Sequence, residues 1–253
     1  MEKRVKILVT AKRVTDPDAK IKLRPDKSGI SLDGVEYKVN PFCENAIEGA
    51  LQLQEAHGGE VVVVSIGPDD VQQYIRTGLA MGADRGIHVQ GEDAELDGDV
   101  VARILAALWA REQPDLVLLG KQAIDGDSNQ VGQLLAELVG APQGCFASAI
   151  ELTGRTARVS REVDGGIEVV DVDLPAVLTA DLRLNEPRYA SLPGIMKAKR
   201  KPIETLTMAD LGVSGAVKVR TVRLEEPPKR QGGGKVGSVD ELVSKLKNDA
   251  RAI

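Results

Sequence analysis

The sequence predicts an α/β fold: a mostly parallel sheet with helices on both faces, followed by a β-meander and an extended carboxy-terminal arm ending in a helix. Three observations carry this. Short apolar runs such as Val61–Val64 and Leu116–Leu119 end at glycine or polar residues, as strands buried on both faces do. Segments with apolar residues at helical spacing alternate with them, which reads as βαβ units joined by right-handed crossovers. After Pro142 the texture changes to three short β-type segments split by Thr153-Gly154-Arg155 and Asp164-Gly165-Gly166.

In chain order, Val5–Val9 is the first strand. Ile21–Leu23 and Ile30–Val39 read as short antiparallel strands around Asp26-Lys27-Ser28-Gly29. Asn40-Pro41 launches a helix, with proline suited to the first helical turn. That helix turns Ile47, Ala50 and Leu51 inward and stops near His57-Gly58-Gly59. Val61–Val64 is a second buried strand, Val71–Met81 a helix closed by Gly82, and Gly86–Val89 a short strand. Asp97 or Asp99 caps the next helix, whose face is Val100, Val101, Ile104, Leu105 and Leu108, with Trp109 packing near its end. Leu116–Leu119 follows as a strand. Val131, Leu134, Leu135 and Leu138 then mark a helix with Ser128 or Asn129 at its N-cap. The meander strands are Ala147–Leu152, Ala157–Glu162 and Ile167–Val172, and Pro175–Ala180 is one more core strand. The segment Leu182–Lys201 has prolines and arginines early and a basic cluster late, and the part around Leu192 reads as neither helix nor strand. Glu225–Gly237 (EEPPKRQGGGKVG) has linker composition. Ser238–Asp249 is an amphipathic helix with Val239, Leu242, Val243 and Leu246 on one face, which needs a surface to cover it.

Composition narrows the function classes. With 253 residues, 42% of them hydrophobic, the chain can bury a core; with aromatics at 2%, that core is aliphatic. A net charge of -5 argues against nucleic acid as a main partner. No run of eighteen apolar residues suggests a membrane span, and the amino terminus lacks a signal-peptide pattern. The two cysteines, Cys43 and Cys145, have no CxxC spacing, so no disulfide framework, zinc site or iron–sulfur cluster is expected, and a reducing cytosol fits.

Several catalytic devices are missing. GGGK at Gly232–Lys235 lacks the spacing and preceding strand of a phosphate loop. No GxGxxG follows a strand, no GxSxG occurs, and the isolated His57 and His88 read as satisfied or exposed histidines rather than parts of a nucleophilic triad. Asp125 and Asp127 lack further ligands for a metal. The chain instead advertises binding. Asp115–Val139 is a strand, a polar loop and a helix start, a usual place for an anion, although an ordinary βα connection is equally open from the pattern alone. The loops after Thr10, after Ser65 and after Gly120, with the helix start at Asn40, converge if the sheet is parallel. Phe42 reads either as packing at the helix start or as an aromatic beside a ligand ring. A second candidate is Arg188-Tyr189-Ala190-Ser191-Leu192-Pro193, where stiff flanks and the following Lys197, Lys199, Arg200 and Lys201 suggest docking.

Four stretches, VNPFCENAIE (Val39–Glu48), RTGLAMGADRGIHV (Arg76–Val89), DLVLLGKQAIDGDSNQVGQ (Asp115–Gln133) and TADLRLNEPRYASLPGIMKAKRKPIE (Thr179–Glu204), carry a family likeness. Over essentially its whole length the chain resembles electron transfer flavoprotein beta subunits, of the AMP-containing type that serves acyl-CoA dehydrogenases. The resemblance implies a nucleotide-binding α/β fold, a one-to-one pairing with an alpha subunit, an FAD held mainly by alpha, and a structural AMP held by beta. AMP contacts implied are Thr10, Asn40, Pro41, Phe42, Cys43, Ile66, Gly120, Lys121, Gln122, Ala123, Ile124, Asp125, Gly126, Asp127, Ser128, Asn129, Gln130 and Val131, with the amides of Asn129–Val131 facing the phosphate. Phe42 and Pro17 are the implied FAD-proximal residues; the family often has an aromatic where Pro17 stands, and Ile66 stands where a cysteine can occur. The implied dehydrogenase-docking residues are Arg188, Tyr189, Ala190, Ser191, Leu192, Pro193, Gly194, Ile195, Met196 and Lys197, with Leu192 as anchor. Glu162 is the implied contact to an arginine of alpha.

The expected organisation is an α/β nucleotide-binding domain over 1–224, including a recognition loop at 182–201, and a linker and helix over 225–253 that pack on the partner subunit. The resemblance implies an electron carrier without substrate chemistry that delivers electrons to a membrane quinone reductase, in the cytoplasm of a bacterium or the mitochondrial matrix of a eukaryote. Two alternatives stand beside it: an electron-bifurcating relative with a second FAD in place of AMP, and a nucleotide hydrolase or stress-protein-like domain.

Overall fold

A computed structural model describes residues 4–229 and 232–253. In chain order it contains β1 (Val5–Thr10), β2 (Arg13–Thr15), β3 (Lys22–Leu23), β4 (Ile30–Ser31), β5 (Tyr37–Val39), α1 (Pro41–His57), β6 (Gly59–Gly67), α2 (Gln72–Met81) and β7 (Arg85–Gln90). Then come α3 (Gly98–Glu112), β8 (Leu116–Gly120), α4 (Val131–Val139), β9 (Gln143–Thr153), β10 (Thr156–Val163), β11 (Gly166–Asp173) and β12 (Ala176–Ala180). The last are α5 (Leu192–Ala198), β13 (Ile203–Thr207) and α6 (Val239–Asn248).

Nine strands form one sheet in the order β11-β10-β9-β12-β8-β1-β6-β7-β13. From β9 to β13 every pairing is parallel, and β9, β10 and β11 close the other end as the expected antiparallel meander. Alternate side chains of the central strands feed two cores, because successive strand residues point to opposite faces. Ile7, Val9, Val61, Val63 and Leu118 pack with Ile47 and Leu51 of α1 and Ile75 and Leu79 of α2. Leu8, Val62, Val64, Val117 and Leu119 pack with Ile104, Leu105 and Leu108 of α3 and Leu135 of α4. Apolar positions on both pleats explain why these strands read as continuous runs instead of alternating.

Four details differ from the sequence reading. The stretch Ile30–Val39 is two strands: β4 pairs with β3 in the expected hairpin, whereas β5 pairs with β2, which was not foreseen. The N-cap of α4 is Gln130, not Ser128 or Asn129, and no side chain caps it. Asp127 (φ 50) and Asn129 (φ 46) take left-handed backbone, so helical geometry cannot begin before them. Leu192–Ala198 is helical, where an irregular segment was expected; Ser191 caps it by accepting from the Gly194 amide at 3.1 Å, and a proline sits in its first turn. The edge strand β13 was also missed; it pairs with β7, Ile203 opposite Gly86. The choice between Asp97 and Asp99 resolves to Asp97, which accepts from the Val100 amide at 2.9 Å and caps α3.

The chain divides into two compact units, Met1–Ile21 with Leu32–Arg220, and Lys22–Ser31 with Thr221–Ile253. The first holds the nine-stranded sheet. The second contains the β3–β4 hairpin, joined to the later segment by a Leu224 amide to Lys27 carbonyl bond of 3.0 Å, and α6, whose N-cap is Ser238. Val239, Leu242 and Val243 of α6 are exposed.

Candidate nucleotide site and docking surface

The parallel sheet places the ends of β1, β6, β8 and β12 along one edge. Helices α1 and α2 lie on one face, α3 and α4 on the other, and β1 lies between β6 and β8. The winding therefore reverses beside β1, where Thr10 ends, and in open sheets of this winding ligands bind outside the carboxyl edge at such a reversal. Ile66 lies one residue from the end of β6 and Gly120 at the end of β8.

Asn40 organises this edge. It is buried, and its side chain does not cap α1. Its amide donates to the Gln122 carbonyl at 2.8 Å and to Cys43 Sγ at 3.4 Å, while its oxygen accepts from the Ile124 amide at 3.2 Å. The start of α1 and the loop after β8 are thus fastened together. Gly120 makes the approach possible: a Cβ there would lie 2.7 Å from the Phe42 carbonyl carbon and 2.9 Å from the Cys43 nitrogen. Pro41, Phe42 and Cys43 consequently sit against Gly120, Lys121 and Gln122. Asn40→Ala should cost about 1–3 kcal/mol, because the Gln122 carbonyl and the Ile124 amide lose a buried partner. Urea unfolding measures this, and an unchanged midpoint would mean that other contacts hold the loop.

The rest of the loop is tied largely to itself and to Lys12. Gly126 and Asp127 amides close a turn on the Ala123 carbonyl, Gln122 Nε2 donates to Asp127 at 2.6 Å, and Lys12 Nζ contacts both oxygens of Asp125 at 2.8 Å. The amides of Ser128, Asn129, Gln130 and Val131 donate to no acceptor among the described residues. They stand at the start of the nine-residue α4, where free N–H groups and the helix dipole favour an anion. Gly132 lets that helix rest on β12, since a Cβ there would meet Thr179 Cγ2 at 2.4 Å.

A neighbouring group was not found from the sequence. Lys121 Nζ lies 5.4 Å from the Phe42 ring and 5.9 Å from the Phe146 ring, and it donates to Asp181 at 2.6 Å. Phe146, the second of only two phenylalanines, has φ 63, and its amide donates to Thr179 Oγ1 at 2.9 Å. A cleft of about 390 Å³ beside it is lined by Lys121, Asn129, Phe146, Glu162, Val163, Asp164, Asp181 and Arg183. Within this chain Glu162 is paired with Arg183. Phe42 itself is buried, and Pro17 lies in an exposed turn after β2. The scarcity of aromatics was a signal that could have picked out Phe146.

His88 is fully buried and satisfied on both ring nitrogens: Nε2 lies 2.9 Å from the Gly67 carbonyl and Nδ1 3.2 Å from Gln72 Nε2. Burial pushes the Cys145 thiol up, despite a Thr179 hydrogen bond and the nearby Arg161 charge, so it is poorly suited to nucleophilic work. No cluster of three or more His, Cys, Asp or Glu side chains suited to a metal occurs among the described residues.

The second candidate surface lies on α5 and the residues before it. Tyr189 is 99% exposed and Leu192 74%, with Ile195 and Met196 also exposed. Lys197, Lys199 and Arg200 face solvent around them, whereas Lys201 is turned inward. The approach to this strip is fixed by Arg188, whose side chain contacts Glu48 at 2.7 and 2.9 Å and Glu55 at 2.5 and 3.2 Å. Ala190 packs against the core, and Gly194 is half-buried.

Comparison with known proteins decides the family. The electron transfer flavoprotein domain matches residues 29–211. The chain is 53% identical to the mouse electron transfer flavoprotein subunit beta over 251 residues, 98% of each chain. The chain belongs to the electron transfer flavoprotein beta-subunit family. It is also 53% identical to a mitochondrial subunit beta of Arabidopsis thaliana, covering 98% of this chain and all of that one. A subunit beta from Bradyrhizobium diazoefficiens matches at 53% over 249 residues, 97% of this chain and 99% of the other. The family is one of electron-transferring flavoproteins, and a beta subunit implies an alpha partner. Relatives occur in both mitochondria and bacteria, and no helix among the described residues is long and apolar enough to cross a membrane.

Proposed function

We propose that this chain is the beta subunit of a heterodimeric carrier that takes electrons from acyl-CoA and related dehydrogenases and passes them to a membrane quinone reductase. The observation that carries this reading is the likeness to beta subunits along nearly the full length of both chains. The chain performs no substrate chemistry of its own. It holds AMP as a structural group and closes one side of an FAD bound mainly by alpha.

The residues fit an adenine nucleotide monophosphate. The free amides of Ser128–Val131 match a phosphate, and the Asn40-fastened loop supplies carbonyls and amides for the remainder. The site needs no lysine-bearing phosphate loop, because backbone N–H groups supply the donors. Thr10, Ile66 and Gly120 border the crevice at the ends of their strands. Phe42 and Pro17 face the flavin side, with Lys121 held between the two phenylalanine rings. When present, the flavin supplies the redox chemistry; this chain's contribution is to shield and orient it. Glu162 exchanges Arg183 for an arginine of alpha during motion of the FAD domain. The 225–253 segment packs on alpha and covers the apolar face of α6.

The strip around Leu192 docks on dehydrogenases. Its form, an apolar centre bordered by Lys197, Lys199 and Arg200, suits an apolar pocket with an acidic rim. The work is done in the bacterial cytoplasm or the mitochondrial matrix. The test is to prepare the chain alone and together with its alpha subunit. The chain alone is expected to retain no FAD, and the pair to be yellow and to bleach when a dehydrogenase and its acyl-CoA substrate are added. A stoichiometric yellow beta monomer, or a pair that a dehydrogenase cannot reduce, would overturn the reading.

A further inference from the structure

The docking strip is held in place from behind by two cations that are not part of it. Arg76 of α2 donates through one guanidinium nitrogen to the carbonyls of Ala198 and Lys201, at 2.6 and 2.5 Å, at the end of α5. Lys201, just beyond α5, returns the contact: its Nζ donates to the carbonyls of Leu79, Gly82 and Ala83 at 3.1, 3.1 and 2.5 Å, at the end of α2. Each helix thus receives a cation from the other at its carboxyl terminus, where unpaired carbonyls and the negative end of the dipole lie. The helices also touch through backbone. A Cβ on Gly194 would lie 2.5 Å from the Ala80 carbonyl oxygen, so the first turn of α5 rests directly on the last turn of α2.

A seven-residue helix is too short to be stable by itself. It persists here because its capped ends and buried Ala198 tie it to α2, which is anchored in the sheet by Ile75 and Leu79. Leu192 adds little to that anchoring, since it is mostly exposed, while Ile195 and Met196 are only partly covered. A surface kept ordered mainly by contacts behind it loses little entropy when a partner covers it.

We propose that Arg76 and Lys201 are positioning residues for docking, which through this reciprocal capping hold α5 and Leu192 in the partner-bound geometry before the partner arrives. The proposal rests on the docking reading above. The partners of both cations lie at the ends of α2 and α5, away from the strand ends at Thr10 and Gly120, so their loss should affect encounter and not electron transfer within the complex.

The test uses the full heterodimer, an acyl-CoA dehydrogenase as electron donor, and the variants Arg76→Met, Lys201→Met, Lys201→Arg and Leu192→Ala, plus the double variant Lys201→Met/Leu192→Ala. The two Met variants should raise KM for the carrier about fivefold or more, with kcat held, and should speed amide exchange across residues 192–198. The double variant should fall well short of the product of the single effects, because both act through Leu192. Lys201→Arg keeps donors for the carbonyls and should recover most of the KM. If Leu192→Ala raises KM while Arg76→Met and Lys201→Met do not, the positioning proposal alone fails. Equal losses in Lys201→Arg and Lys201→Met, or fully multiplicative effects in the double variant, would also overturn it. If Leu192→Ala leaves KM unchanged, the docking reading falls and takes this proposal with it.

Discussion

Replacing Leu192 with alanine is expected to weaken docking of the carrier on acyl-CoA dehydrogenases roughly thirtyfold, because losing a buried anchor at an interface typically costs about 2 kcal/mol or more. In the free chain Leu192 is 74% exposed, so its truncation removes almost no packing from the fold. Surface changes of that kind shift stability by about 0.5 kcal/mol or less. The variant should therefore unfold at the wild-type denaturant midpoint, retain its nucleotide, and show its whole defect in KM for the dehydrogenase. Kinetics identical to wild type would remove Leu192 from the interface. A coincident drop in stability would mean that α5 depends on this side chain in a way its exposure does not indicate.

The second large effect is expected at Arg188. Its partner Glu48 sits on α1 with a side chain only 4% exposed. Burial pushes the Glu48 carboxyl up, but hydrogen bonds from the Arg188 side chain and backbone outweigh it and hold the group below the usual carboxylate range. The pair thus contributes stability that is present above the ordinary glutamate pKa and is lost as pH falls through the depressed folded-state value. Arg188→Met strands Glu48 in the protein without its cation, which should cost about 3–5 kcal/mol at neutral pH. In the variant the residue-188 amide and Gln52 still donate to the carboxylate, but the guanidinium's hydrogen bonds and charge are gone, so burial weighs more and the carboxyl moves up. The variant then loses less stability than the wild type as pH falls. The difference between the two proteins should narrow with acidification, as measured by chemical denaturation across the acid range. A difference that is small, or independent of pH, would show that Glu48 is not ionised against Arg188.

Much of this was legible in the sequence for a physical reason. The central strands are apolar on both pleats and the helices carry a single apolar face, so period and length distinguish them and dictate a parallel, doubly covered sheet. Asp115–Val139 could be read as strand, loop and helix because Leu116–Leu119 and Leu134–Leu138 are strong local signals. The cap of α4 was misplaced because Ser128 and Asn129 are good capping residues by type, yet left-handed backbone at Asp127 and Asn129 delays the helix to Val131. The tie from Asn40 to the same loop joins residues 82 and 84 positions apart, a contact that no local pattern carries.

The α5 helix was overlooked for a related reason. Pro187 and Pro193 argue locally for extended chain, but Ser191 with a proline in the first turn is also a helix-start signal, and Arg76 and Lys201 supply the closing contacts from across the fold. The edge strand β13, Ile203-Glu204-Thr205-Leu206-Thr207, lacks apolar–polar alternation, its part-buried Ile203 and Leu206 lying three apart, and is too short to stand out. The scarcity of aromatics marks Phe146 in the sequence, but its place beside Lys121 follows only from the folding of the meander.

The central claim is that the crevice at β1 and β8 holds AMP in a heterodimer whose only flavin is enclosed with alpha. The direct measurement is extraction and chromatography of the nucleotides released from the purified heterodimer. One FAD and one AMP per heterodimer is the expected result; two flavins and no AMP would contradict it.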